Sequence, residues 1–551
     1  MAAPSFPGAS PSAWLCLSPY FVVQKHPRIE ARRFGLYAVT ALPAGFTFHE
    51  ESPTFALQHA MNKSLVRACC HCQRVVGDAG VQLRHLFAAA NPEALADFDC
   101  LPSDAFCGSL FSPVVLCPGG CGEVYCSDAC QAAHMERSHR FLCVGPLSGS
   151  HPLVAFKRLC LDQTEILLLA AEAICAVVTH ATENVCLPIL RGGLQAPAVE
   201  GQGPSCGGPQ QSQSDKLYSS AAETADRPQL MQRHQGQVRQ ILAAKAQEVR
   251  AEAERLFQVL LDYAHDRWEL LGEEGEAAGD EGEPVEERTA VLDLARRQLF
   301  AAFSNGAGDA ASEDETRSPA HQPGAPVVAS FFQQSSELLS RIAGLLEKTN
   351  SHVVVASPLN AYFTGLLANT HARSRLSRDI LAFLLREKEV AMLRALGEED
   401  ESDDEEDEMD MAAADRSRQR RHLLATRFAD VPCEDLVPPD SSAAEGSKDP
   451  SSANCTRLRD IVQPHAFPDV HGTGFYPSIG RMNHSCAPNV RVEFPYGTNR
   501  ISLVTTRPVE PGEELCISYV DGVESMTADE RREALEIFGF QCSCDVCFTS
   551  R

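Results

Sequence analysis

The sequence predicts an α+β protein, and three observations carry that reading. Strand-like segments broken by turn residues occupy 18–60 and return from about residue 456. Between them, apolar residues recur at three- and four-residue steps, the period of one helix face. Cysteines stand in short-spaced groups over 69–143 and again at 542–547, a pattern that suits metal ligands better than scattered core thiols.

Length and charge set the frame. The 551 residues suffice for about two to four domains. A net charge of −26 is concentrated locally, with 11 acids and no base in 398–410 and eight acids and no base in 272–287. Such runs cannot offset their ordering entropy by burial and are expected to stay solvated and disordered. They also argue against a surface built to grip nucleic-acid phosphates. No basic region opens the chain, and Ser18-Pro19 interrupt the apolar stretch Trp14–Val23, so no secretory signal is expected. The longest apolar run, Ile166–Val178, is 13 residues and contains Glu172, which predicts a buried helix and no membrane span. A soluble intracellular chain with 22 cysteines then needs a role for them other than disulfides.

The elements follow in order. Residues 18–60 read as strands, with Pro43-Ala44-Gly45 as a turn. Residues 153–190 read as helical, apolar on every face near 166–178. Residues 191–227, rich in Gly, Pro, Gln and Ser, read as linker. A long amphipathic helix begins near Pro228, carrying Val238, Ile241, Leu242, Val249, Leu256, Phe257, Leu260, Leu261, Ala264 and Trp268 on its apolar stripe. Packing against its own domain is the expected use of that stripe. Further helices are predicted at 289–303, 327–348 and 373–396, with linkers at 304–326 and 429–454. RSRQRRH (416–422) fits a nuclear import signal as well as an ordinary basic stretch. Strands are expected at Val490–Phe494 and Ile501–Thr505, around a turn at Pro495–Asn499.

Four ligand pairs stand between 69 and 143: Cys69 and Cys72, Cys117 and Cys121, Cys126 and Cys130, His139 and Cys143. Eight ligands hold two zinc ions, and the expected use is interleaved. Cys69, Cys72, Cys126 and Cys130 would take one ion, and Cys117, Cys121, His139 and Cys143 the other. Filled sites leave no open catalytic position, so this zinc is structural. At the C-terminus Cys542, Cys544 and Cys547 lack one ligand, and Cys486 is the best candidate for it, with Cys433, Cys455 and Cys516 as rivals.

These stretches resemble the SET-and-MYND-domain (SMYD) protein-lysine methyltransferases, nearest the divergent branch that includes plant Trithorax-related SET proteins. EARRFGLYAVTALPAGFTF (30–48) is similar to the opening hairpin of a SET domain, and VYCSDACQAAHMERSHRFLC closes a MYND-like finger. GFYPSIGRMNHSCAPNVRVEF (474–494) carries an NHSC signature; EPGEELCISYVDG (510–522) and FGFQCSCDVC (538–547) resemble the end of a SET domain and its post-SET zinc motif. The resemblance implies a β-rich SET fold split in sequence, interrupted by a MYND-type two-zinc finger and a helical, partly disordered insertion, and closed by a post-SET zinc site. The implied units are an N-terminal SET part (18–60), the finger (69–143), a SET-associated helical segment (151–190), the insertion (191–454), the SET core (455–521) and a post-SET segment (522–551).

The resemblance also implies a site. Arg33, Phe34, Gly35, Asn483, His484, Tyr519 and Phe540 would contact S-adenosylmethionine (SAM). Tyr519 would stand beside the transferring methyl, with Phe475 and Tyr476 near the lysine channel. Three zinc ions, protein substrates such as histone tails, a peptide partner at the finger, and a nuclear and/or cytoplasmic location complete the expectation; no direct membrane contact and no strong nucleic-acid binding are expected. Methyl transfer from a sulfonium to an amine is an in-line displacement, so the protein needs no nucleophile of its own. It must align the partners, keep the lysine neutral and exclude water. One position departs from the family: Arg33 stands where a Gly-x-Gly normally begins. Its side chain would either narrow the cofactor's approach or pair with its carboxylate. The alternative function is a catalytically weak scaffold that binds peptide partners.

Overall fold

The computed structural model describes residues 18–25, 34–86, 147–194, 285–304, 319–369 and 467–520, together with most of 101–145, 233–271 and 522–547. Arg33, Cys433, Cys455, the 398–410 acidic run, residues 272–284 of the other run, residues 195–227, the 429–454 linker, the 373–396 helix and the 416–422 basic stretch lie outside the described residues. Residues 191–194, expected as linker, still belong to a helix, and Glu286 and Glu287 of the 272–287 run open another.

Among the described residues, twelve strands form three small sheets and one hairpin. The first sheet runs β1 (Phe21–Lys25), β2 (Phe34–Ala38), β12 (Glu514–Ile517), β9 (Asn483–His484). Its outer pair, β12 and β9, is parallel, aligning Cys516 with Asn483 and Ile517 with His484. The second sheet orders β10 (Val490–Glu493), β11 (Ile501–Thr505) and β3 (Thr47–Glu51), all antiparallel. The third orders β4 (Phe55–Gln58), β8 (Val470–Phe475) and β7 (Asn350–Val355). Each sheet therefore joins strands from before the finger to strands from the last hundred residues, which is the split β fold the sequence predicts. Leu36, Phe48, Val353, Val470, Tyr476, Ile501, Leu503 and Leu515 fill the core between these sheets. The short pair β5 (Val115–Leu116) and β6 (Val124–Tyr125) belongs to the finger.

The helices build a second core. After α1 (Asp128–His134), which continues through a π-turn to His139, come α2 (Pro152–Asp162) and α3 (Ile166–Leu194). By length and composition α3 could cross a membrane over Ile166–Leu190, yet 83% of its most apolar window is buried inside the protein. Its neighbours explain that burial. Leu167, Ala170, Ile174 and Val177 pack with Val249, Leu256, Phe257 and Leu260 of α4 (Gln235–Leu261), and with residues of α5 (Val285–Ser304), α6 (Ala325–Phe332) and α7 (Glu337–Thr349). The amphipathic stripe of α4 thus packs on its own domain, as expected.

Three details differ from the sequence reading. The 327–348 helix is two helices, broken between Phe332 and Glu337. Trp268 is not on α4 but in a separate 3-10 turn, Trp268–Leu270. The segment after α7 is strand β7, paired along its full length with β8 before α8 (Pro358–Ala368) begins. The last helix, α9 (Ala528–Glu536), leads into the C-terminal cysteines.

Candidate active site and metal centres

Three side-chain clusters have the composition and spacing of metal sites. Cys69, Cys72, Cys126 and Cys130 form the first, and Cys117, Cys121, His139 and Cys143 the second; within each, the ligand atoms lie within 4.8 Å of one another. In the first, Cys126 Sγ is 3.5 Å from Cys72 Sγ and 3.4 Å from Cys130 Sγ. In the second, His139 Nε2 is 3.3 Å from Cys117 Sγ and 3.4 Å from Cys121 Sγ. Tetrahedral zinc with bonds of about 2.3 Å would separate two sulfurs by about 3.8 Å, so modest opening accommodates an ion. The interleaved partition expected from spacing is the one the fold assembles.

Local backbone explains how the ligands converge. The Cys117–Cys121 knuckle turns at Gly120 and Gly122, at φ +72° and +88°, values a side chain with Cβ rarely adopts. Ser127 caps α1 by accepting from the Cys130 amide, which sets the start of the helix that carries Cys130. Electrostatics also favours a cation. Hydrogen bonding to Cys126 pushes the Cys69 thiol up to about 12, while the same neighbours drive Cys126 down. Four sulfurs this close cannot all ionise without a positive centre among them.

The finger is held to the rest of the chain by polar contacts that spacing could not reveal. Arg137 Nη2 donates to Glu172 at 2.8 Å, Ser138 Oγ donates to it at 3.1 Å, and His134 Nε2 lies 3.4 Å away. Glu172, the lone charge in the apolar run of α3, is therefore the dock for the finger's helix. Burial raises its carboxyl, but His134 and Arg137 outweigh that and hold it well below the usual range. On the other side, Asn499 donates to the finger twice, through its amide to Cys72 O at 2.8 Å and through Nδ2 to His71 O at 3.1 Å. Lys63 donates to Glu123 at 2.9 Å and the Cys70 thiol donates to the same carboxylate. Burial pushes Glu123 up, and the Lys63 ammonium more than offsets it, leaving it at about 2. Cys70 is thus a half-buried thiol beside the first cluster and not one of its four residues.

The third cluster joins Cys486 to Cys542, Cys544 and Cys547. Cys486 Sγ lies 3.8 Å from Cys542 Sγ and 3.5 Å from Cys547 Sγ. Of the rivals, Cys516 sits in β12 paired to Asn483 instead. Because Cys486 follows His484 by two residues, this cluster anchors the chain end over β9.

Around β9 the site residues gather. Tyr519 follows β12; its hydroxyl donates to Met482 O at 2.6 Å and its amide donates to His484 Nδ1 at 3.0 Å. Phe538 and Phe540 come in from the C-terminal segment. Their rings lie 5.0 and 6.1 Å from that of Tyr519, and Phe540 is 6.1 Å from His484. Asn483 Nδ2 donates to Phe34 O at 3.1 Å and to Glu514 Oε1 at 2.6 Å, which brings β2 alongside. A Cβ at Gly35 would stand 2.6 Å from Glu514 Oε1 and 3.1 Å from Asn483 Nδ2, so any other residue here would have to displace the Glu514 carboxylate.

Phe34, Gly35, Asn483, His484, Tyr519 and Phe540 are thus brought together. Phe475 and Tyr476 end β8 and are fully buried. Phe475 stacks on Phe55 and meets the edge of Tyr263, while the Tyr476 hydroxyl donates to Asn499 O. Residues missed from the sequence are Glu514, Met482 through its carbonyl, and Asn489, whose side chain accepts from Cys516 N and donates to Glu514 O, both at 2.8 Å. Glu514 stood inside the quoted EELCISY block, but one sequence holds no signal that pairs it with Asn483.

A SET domain family model matches residues 368–520. Histone-lysine N-methyltransferase SMYD3 of Homo sapiens is 43% identical over 79 residues, 14% of this chain and 18% of that protein. Histone-lysine N-methyltransferase set5 of Schizosaccharomyces pombe is 39% identical over 74 residues, 13% and 23% respectively. Protein-lysine N-trimethyltransferase SMYD5 of Mus musculus is 32% identical over 83 residues, 15% and 20%. The chain spans about a fifth of the length of the curated relatives it matches. It carries a SET domain and is distantly similar to the SMYD family of SET and MYND methyltransferases.

Proposed function

We propose that this chain is a SAM-dependent protein-lysine N-methyltransferase acting on histone and/or non-histone proteins. On its own motifs we place it nearest the branch that includes plant Trithorax-related SET proteins. The observation that supports the activity most is the convergence of Tyr519, His484, Asn483 and Phe540 where β9 and β12 run parallel. The close approach of the Gly35 backbone to the Asn483 and Glu514 side chains supports a role for β2 beside that site. Phe34, Gly35, Asn483, His484, Tyr519 and Phe540 would hold SAM, with Arg33 next in sequence. Bound SAM supplies a methyl group activated on a sulfonium.

The protein's own part is alignment and desolvation. With its proton engaged by Met482 O, the Tyr519 oxygen keeps lone pairs for an incoming amine or a polarised C–H group. Aromatic walls disfavour the charged ammonium and so favour the neutral, reactive amine. Tyr476 and Phe475 shape the channel from behind, as rigid buried residues at the end of β8. The three cysteine clusters would each hold zinc in a structural role, since four protein ligands close each site. The finger is a surface for a peptide partner, and we place the protein in the nucleus and/or cytoplasm.

Incubating purified protein with methyl-labelled SAM and a mixed pool of histones and cell-extract proteins tests the reading. Label on protein lysines is the expected result. Tight SAM binding with no transfer to any protein would favour a catalytically weak SET and MYND scaffold.

A further inference from the structure

The end of α4 reaches toward the β9 site, and there it meets an arginine. Asp262 and Tyr263 follow the end of α4. The Arg481 guanidinium lies over two rings, 3.7 Å from the Tyr263 ring centroid and 4.7 Å from that of Phe34. Its Nη1 donates to Asp262 O at 3.0 Å. The same tyrosine meets Phe475 edge-on at 5.3 Å and stands where a Cβ on Gly480 would come within 3.2 Å of its ring. Tyr263 therefore packs closely over the whole Ile479–Arg481 turn.

That turn leads straight into the site. The next residue, Met482, presents the carbonyl that accepts the Tyr519 hydroxyl, and the one after it is Asn483. The second face of the stack, Phe34, gives its carbonyl to Asn483 Nδ2 and precedes Gly35. A single guanidinium thus links the helical layer to both strands that the proposed cofactor site uses. A flat guanidinium in contact with two ring faces is held more firmly than the ammonium of a lysine in its place.

We propose that Tyr263 and Arg481 are positioning residues for the SAM site: the contacts of Arg481 with Tyr263 and Phe34 hold the Ile479–Arg481 turn, which leads into β9, against the Phe34 end of β2. The inference rests on the SAM-dependent reading above. It makes the α4 end part of the cofactor site although the two are more than 200 residues apart in sequence.

Calorimetry of SAM binding tests it in the full-length, zinc-loaded protein. Tyr263→Leu keeps apolar bulk against Gly480 and Phe475 but removes the π face, while Tyr263→Phe keeps the face. Losing a partly desolvated cation–π contact predicts a roughly three- to thirty-fold weaker Kd for Tyr263→Leu. Tyr263→Phe should match wild type. Arg481→Lys should fall with Tyr263→Leu, since charge alone does not rebuild the stack. Circular dichroism and zinc content should stay at wild-type values in all three. Wild type that binds SAM, beside a Tyr263→Leu variant binding it equally well, overturns this inference and leaves the proposed function standing. Wild type that binds no SAM overturns both. Equal losses in Tyr263→Phe and Tyr263→Leu would also overturn it, because the π face would then not be what matters.

Discussion

His484 accepts the backbone amide of Tyr519 at its Nδ1, 3.0 Å away. The ring's other nitrogen, Nε2, faces Cys486 Sγ at 3.2 Å. With Nδ1 accepting, Nε2 carries the proton and donates to a sulfur that would be a thiolate on zinc. One imidazole therefore couples the third metal cluster to the tyrosine.

Cys486→Ser should accordingly do more than remove a ligand. Elemental analysis is expected to fall from three zinc ions per chain to two, with both finger ions retained. SAM affinity should fall as well, because His484 loses the acceptor that orients it and Phe540 loses its anchored segment. Loss of all three ions together would show that the clusters are not independent. A Cys486→Ser protein holding three ions would remove Cys486 from the third cluster.

Tyr519→Phe removes the hydroxyl that bonds Met482 O and leaves the ring and its aromatic neighbours. Methyl transfer should drop by about a hundred-fold or more, while SAM affinity changes little, since the hydroxyl acts at the reacting centre. Single-turnover kinetics beside calorimetry separates the two. Equal turnover in the variant would make Tyr519 a packing residue.

Gly35→Ala tests the close approach of β2. The first atom its methyl would meet is the end of the Glu514 side chain, which can swing away. Doing so breaks the charged hydrogen bond to Asn483. Such a bond contributes about 1.5–3 kcal/mol to the fold, so the melting temperature should fall by a few degrees, and SAM should bind roughly ten-fold more weakly because Asn483 loses the partner that orients it. A variant with wild-type affinity would show that Asn483 needs no help from Glu514.

How much of this could be read beforehand follows from the range of each interaction. Metal ligands two to four residues apart advertise themselves, and even Cys486 was marked by its place in NHSC. The hairpin Val490–Glu493 and Ile501–Thr505 was legible because its turn is local. Strand β7 was not, since VVV beside a helix reads as either state until β8 pairs with it. The roles of Glu172, Asn499 and Tyr263 were equally hidden. Each is a polar or aromatic side chain whose partner lies tens to hundreds of residues away, and composition around it gives no sign of that partner. Arg33, prominent as a departure in the sequence, lies outside the described residues.

Glu172→Gln probes the joint between finger and helical layer. Its carboxylate is buried with Arg137, Ser138 and His134, so the change leaves a largely buried guanidinium without its counter-charge. Breaking one member of such a pair costs about 3–5 kcal/mol. The denaturant midpoint should shift down with unchanged slope. The pH dependence gives a second handle. The folded-state carboxyl is held below its unfolded value, so its contribution is complete above the unfolded pKa, near 4.5. It is lost progressively as pH falls toward the lower folded value. Wild type and Glu172→Gln should therefore differ most at neutral pH and converge below about pH 4, where the unfolded state takes up the proton. Zinc release from the thiolates also occurs in acid, so stability is compared at matched metal content, measured alongside each unfolding curve. A constant gap between the two proteins from neutral to acid would mean that the lost stability comes from shape and not from the charge of Glu172.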